Sequence, residues 1–145
     1  MFPFHTSTGT DAAYRYQSMD EVVFDGLEGT ASVTFKTGAD DYCGPYHLDG
    51  SCHVSGFLCN AYDDDDAVYI SEGWDAAKIL DLDMLRKPGG KLTNYVRMQP
   101  QPNHVLEGDI YVFTDGEISQ VWEGVRFKRV PRRVINILLP PPKRA

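Results

Sequence analysis

The chain has 145 residues, 42% of them hydrophobic and 24% charged, with a net charge of −7. That length fits one domain with its own core, and the composition is that of a globule rather than a disordered chain. The acidic balance argues against general nucleic-acid binding, and no apolar run approaches the roughly 18 residues of a membrane span.

Residues 1–13 are rich in Ser, Thr and Gly and read as a loose lead-in without the basic and apolar regions of a secretory signal. Glu21 to Asp25 predicts a short strand. After the Gly26 turn, Thr30 to Lys36 alternates strictly, with Ala31, Val33 and Phe35 on one face, as in a half-buried strand. Residues 37–47 are turn-rich. Pro45 disfavours helix at Gly44, so the following helix is expected to begin near Tyr46.

That helix carries Leu48 to Asn60 and is apolar on nearly every side. Asp49 and His53 stand four residues apart, so they share one helix face about a turn from each other. An acid there serves equally as a helix-start residue or, desolvated beside an imidazole, as a proton donor or acceptor. His47 reads as a residue of the loop leading into the helix, and His104 as a loop histidine. Gly56 permits close backbone approach, and Asn60 suits the helix end. Cys52 and Cys59 are too far apart for a disulfide, since seven helical residues span roughly 10 Å. With Cys43 they make an odd count and no Cys-x-x-Cys pair, which points to reduced thiols and a cytoplasmic location. Cys52, His53 and Cys59 do not share one helix face, so no metal site is expected.

Asp63 to Asp66 ends the helix as a solvated acidic run without calcium-loop spacing. Ala67 to Ile70 predicts a strand, Trp74 follows Gly73 as a wall or core residue, and Asp75 to Leu85 reads as helical or irregular. Pro88-Gly89-Gly90 breaks the chain, and Leu92 to Met98 predicts a strand. The Asp115-Gly116 pair between Gly108–Thr114 and Glu117–Arg129 is a two-residue hairpin signature, and the long second arm needs a bend, placed at Gly124. From Arg126 onward there are seven basic residues and no acidic one. That segment is either a solvated tail or a docking surface for an acidic partner. Five or six mostly antiparallel strands and one apolar helix that must be covered all round give an α+β fold of the hotdog type, a sheet wrapped around one central helix.

These residues also carry a family resemblance. The segments MDEVVFD (19–25), TASVTF (30–35), HLDGSCHVSGFLCNA (47–61), ISEGW (70–74), NYVRMQP (94–100), GDIYVF (108–113) and EGVRFKRVPRRVINILLPPP (123–142) are similar, in order, to the C-terminal half of the product template domain of fungal non-reducing iterative polyketide synthases. The resemblance covers residues 14–142 and leaves 143–145 as a basic tail. It implies one hotdog half of a dehydratase-like double-hotdog domain that directs aldol cyclisation and aromatisation of a poly-β-keto chain. The substrate is implied to ride on the phosphopantetheine arm of an acyl carrier protein, with no cofactor bound directly. Asp49 is implied to be the catalytic aspartate, with His53 in support. Gly56, Asn60 and Trp74 are candidates for contact with substrate, and Arg129, Arg132 and Arg133 for docking the carrier.

The family's catalytic histidine lies in the N-terminal half, in a segment of the form H-x-x-x-G-x-x-x-x-P. None of His5, His47, His53 or His104 has that context. The expected partner is therefore a complementary histidine-bearing half, or a second copy of this chain. Two alternatives stand beside this reading: a non-catalytic hotdog module that self-associates, and a stand-alone hotdog hydratase or thioesterase working as a homodimer.

Overall fold

The computed structural model describes residues 17–35, 44–63, 66–83 and 90–139. The expectations for the lead-in 1–13, Cys43, the Pro88-Gly89 break and the tail 143–145 lie outside the described residues. Strands β1 (Met19–Asp25) and β2 (Glu28–Phe35) precede the long helix α1 (Gly44–Tyr62). Then come β3 (Ala67–Gly73), β4 (Ala76–Ile79), β5 (Gly90–Gln101), β6 (Val105–Thr114), β7 (Glu117–Pro131) and the short helix α2 (Arg132–Leu138). All pairings are antiparallel, in the order β1-β2-β5-β6-β7-β3, with β4 also on β7.

The alternation in β2 places Ala31 and Val33 in the core, as the sequence predicts. They meet Leu92, Val96 and Met98 from β5 and Ile110 and Val112 from β6. Across from them α1 inserts Val54, Leu58 and Cys59, none with exposed surface. Truncating a side chain buried like Leu58 to alanine costs about 2–5 kcal/mol, so this contact holds the helix on the sheet. The result is the hotdog fold, a curled antiparallel sheet around one long helix.

Three local expectations need correction. Helix α1 starts at Gly44, before Pro45. Proline is tolerated in a first turn because the amide hydrogen it lacks has no intrahelical partner there. The segment after Trp74, expected to be helical or irregular, contains a strand: Ala76–Ile79 pairs with Gln120–Glu123 of β7. The sheet grips one side of α1 only, leaving Leu48, Asp49, Cys52, His53, Gly56 and Phe57 partly open. Helix α2 follows Pro131 directly. Among the described residues, no helix is long and apolar enough to cross a membrane.

Strand β7 carries two irregularities that set which of its side chains face α1. Val112 pairs with Gln120 and Phe113 with Ile118, so Ser119 has no opposite number; Ile110 pairs with Trp122 and Gly108 with Val125, which opposes Glu123 and Gly124 to Asp109 alone. Gly124 adopts φ +63°, a conformation that suits glycine, and its N–H donates to Asp109 Oδ1 at 2.9 Å. The bend expected at Gly124 is this bulge. The Ser119 bulge turns Gln120 and Trp122 inward, opposite Val112 and Ile110; straight pairing from the Asp115-Gly116 turn would present Ser119 and Val121 instead. The turn residues have φ +52° and +81°, the left-handed pair that a two-residue hairpin requires.

Candidate functional site

Asp49 and His53 lie on the partly open side of α1. His53 Nε2 is 2.6 Å from Asp49 Oδ2, and both side chains keep over a third of their surface exposed. The imidazole N–H donates to the carboxylate, fixing the ring while leaving the second carboxylate oxygen without a role in this pair. The two residues rim a groove of about 490 Å³. Leu48, Cys52 and Gly56 of α1 form one wall; Ser71, Trp74, Trp122 and Phe127 from the β3–β7 side form the other. Apart from its rim, the groove is apolar and suited to a carbon chain or flat ring system.

The sequence candidates divide when placed against this groove. Gly56 lies in its wall, where an added Cβ would stand 3.3 Å from the Phe127 ring, so the glycine lets α1 approach β7. Trp74 is 54% exposed and meets Trp122 edge-to-face, ring centroids 5.2 Å apart. Asn60 is not among the groove's lining residues. Its amide donates to the carbonyl of Tyr69 at 3.2 Å and accepts from that residue's N–H at 2.9 Å, which ties the end of α1 to β3.

The basic segment is partly engaged within the chain. Arg129 pairs with Asp63, and Arg126 with Asp75 at 2.7 Å. The backbone N–H of Arg132 donates to the carbonyl of Asp66 at 2.8 Å. Two members of the acidic run therefore hold the β7–α2 corner. Arg133 is exposed at the start of α2.

Gln120, Trp122 and Phe127 carry no sequence signal that marks them for the site, and His47 is placed differently from the expectation. His47 lies inside α1, almost wholly buried, rather than in a leading loop. Desolvation pushes its pKa down to about 4, so the ring is neutral near neutral pH. Its Nε2 lies 2.6 Å from Gln120 Nε2 and accepts that N–H, while Trp122 Nε1–H donates to Gln120 Oε1 at 3.2 Å. These contacts became visible only with the register, because the Ser119 bulge decides that Gln120 and Trp122 face the helix. Cys52 and Cys59 are free thiols, each pushed up to about 12 by burial, and neither is a nucleophile at neutral pH.

No family model matches the chain. It is 46% identical over 140 residues to the non-reducing polyketide synthase PKS1 of Zymoseptoria tritici, and 39% identical over 137 residues to the non-reducing polyketide synthase Preu8 of Preussia isomera. Each match takes in 89% of this chain but only 6% of the relative. Among solved structures, a thioesterase from Haemophilus influenzae superposes with a TM-score of 0.62 at 10% identity, over 84% of each chain. The dehydratase domain of RzxB from Pseudomonas fluorescens superposes with a TM-score of 0.60 at 14% identity, over 78% of this chain and 42% of that one. The structural likenesses support the hotdog fold, and the sequence matches make the chain a homologue of a segment of non-reducing polyketide synthases that is about 6% of their length.

Proposed function

We propose that the chain is the aspartate-bearing hotdog half of a product template domain, acting in the aldol cyclisation of a carrier-bound poly-β-keto chain. The observation that carries this reading is the Asp49–His53 pair at the rim of an apolar groove, in a chain 46% identical to a non-reducing polyketide synthase segment. The chain matches 42% of the dehydratase-domain structure, about the share expected of one of two similar halves.

Aldol closure begins when a base takes a proton from a methylene flanked by two carbonyls. The enolate carbon then attacks a ketone further along the same chain, and the new alkoxide takes up a proton. That C–C bond closes the ring, and loss of the new hydroxyl with an adjacent hydrogen as water, followed by enolisation, makes it aromatic. The base is a histidine of the complementary half. Asp49, held through one oxygen by His53, orients that histidine or carries its proton through the other. The phosphopantetheine arm of the carrier protein delivers the chain into the groove, where Trp74, Trp122 and Phe127 exclude water from the reacting carbons.

The partner has a natural approach. Ser71 and Trp74 line the groove from the β3 side, and β3 ends the described sheet. Ile70, Trp74, Leu80 and Leu82 are exposed on or just beyond β3 and β4. A second hotdog half seated along that edge covers these side chains and brings its own residues over Asp49. The carrier docks through the exposed basic groups near α2, Arg133 foremost, and the reduced thiols suit the cytoplasm.

The test is reconstitution: this chain, a histidine-bearing half and a carrier protein loaded with a poly-β-keto chain, with products resolved by mass. Cyclised product should need both halves and should fall at least about 100-fold with Asp49→Asn. Full cyclisation by this chain alone, or by the Asp49→Asn assembly, overturns the assignment.

A further inference from the structure

A fully buried glutamine is costly unless its amide is satisfied, so its partners indicate what it holds in place. Gln120 has no exposed surface, and its amide joins His47 of α1 to Trp122, two residues along its own strand. Its N–H donates to Nε2 of neutral His47 on α1 at 2.6 Å, and its Oε1 receives the indole N–H of Trp122 at 3.2 Å. Trp122 is itself a groove wall, 5% exposed, with the half-exposed Trp74 ring edge-on against it. Gln120 does not line the groove. An uninterrupted chain of contacts thus runs from the start of α1, through Gln120 and Trp122, to Trp74 beside β3.

We infer that Gln120 is a positioning residue for the groove: by tethering the Trp122 indole to His47 of α1, it fixes the tilt of the ring that Trp74 and a bound acyl group pack against. An indole packed only by apolar neighbours is free to rock about its side-chain torsions. One held through its N–H has a set orientation and presents the same face to each ligand. The tether joins the two walls of the groove, since His47 and Asp49 ride on the same helix and Trp122 belongs to the sheet. A change in helix-to-sheet spacing is therefore transmitted to the ring. The consequence for binding rests on the reading of the groove as an acyl site; the tether does not.

Trp74 and Trp122 are the protein's two tryptophans, so each gives one indole N–H resonance, assigned by Trp122→Phe. In the native chain the Trp122 indole proton should exchange with solvent much more slowly than that of Trp74. Two variants then separate positioning from packing. Gln120→Glu keeps an acceptor for the indole but buries a carboxyl, whereas Gln120→Leu fills the space with an apolar side chain and removes the acceptor. Burial energetics alone rank leucine as the better replacement. Positioning ranks them the other way for the groove. Gln120→Leu should shift the Trp122 indole resonance, speed its exchange and weaken binding of octanoyl-pantetheine by roughly fivefold or more, while Gln120→Glu stays close to native.

An unchanged Trp122 resonance and unchanged binding in Gln120→Leu overturn the inference. So do equal exchange rates of the two indoles in the native chain, a measurement that stands even where neither variant folds. Native protein that fails to bind octanoyl-pantetheine sinks the acyl-groove reading, and the exchange and resonance measurements still decide the tether.

Discussion

His53 Nε2 stands 2.6 Å from Asp49 Oδ2, one helical turn along α1, and neither side chain is enclosed by the sheet. An exposed pair of this kind contributes little to folding, typically below about 1 kcal/mol, because water screens it and the side chains lose freedom in forming it. Asp49→Asn and His53→Gln should therefore move the urea midpoint only slightly while cyclisation in the reconstituted assembly falls sharply. Large destabilisation with normal turnover would make the pair a structural feature of α1.

Stability should fall on acidification because of His47. Its pKa is about 4 in the folded chain against 6.5 in the unfolded one. Between those values the unfolded state binds the additional proton. The stabilisation is thus full above pH 6.5 and lost as pH falls towards 4, by about 3 kcal/mol in all. Urea unfolding at intervals from pH 7.5 to 4 checks this, with His47→Gln as the comparison. An equally steep loss in that variant would assign the effect to other groups.

Gly108 is a packing requirement. A Cβ there would fall 2.2 Å from the Arg97 carbonyl oxygen and 2.9 Å from Met98 Sδ, so β5 and β6 must separate to admit it. Gly108→Ala should cost about 2 kcal/mol or more, as overpacking against backbone does. At Gly26, φ is +57° with nothing within 4 Å, so alanine meets only the backbone penalty of about 1 kcal/mol. Equal melting temperatures for the two variants would contradict the difference in packing.

Arg129 and Arg133 should separate stability from docking. Arg129 pairs with the part-buried Asp63, so Arg129→Ala should cost about 1 kcal/mol. Arg133 is exposed, and Arg133→Glu should leave stability within about 0.5 kcal/mol while weakening carrier binding and flattening its dependence on salt. Carrier affinity unchanged by Arg133→Glu at low salt would remove Arg133 from the docking surface.

The contrast between Ala31 and Gln120 shows what the sequence discloses and what it withholds. Ala31 and Val33 alternate with polar residues in a strand that itself carries no extra residue, the irregularity beside it lying in β1 between Met19 and Glu21, so facing can be read directly, and both are buried. Asp49 and His53 were legible because helical spacing is fixed by the backbone. Gln120 and Trp122 were not, because their direction depends on an unpaired Ser119 that no local pattern announces. β4 escaped for a related reason: its four residues have little periodicity, and their pairing with β7 makes them a strand. His47 reads as a loop residue because the turn-rich stretch 37–47 runs up to it, whereas the first helical turn accepts Pro45 and already includes His47.

Ser119 and the extra residue at Gly124 also separate two properties that a regular strand binds together. Remove both, and the remaining residues of β7 keep their partners on β6 and their direction, inward or outward. The local bend goes, and with it the hydrogen bond from Gly124 N–H to Asp109. The two extra residues thus bend β7 around α1 while its side chains on either side of each bulge stay in register with β6.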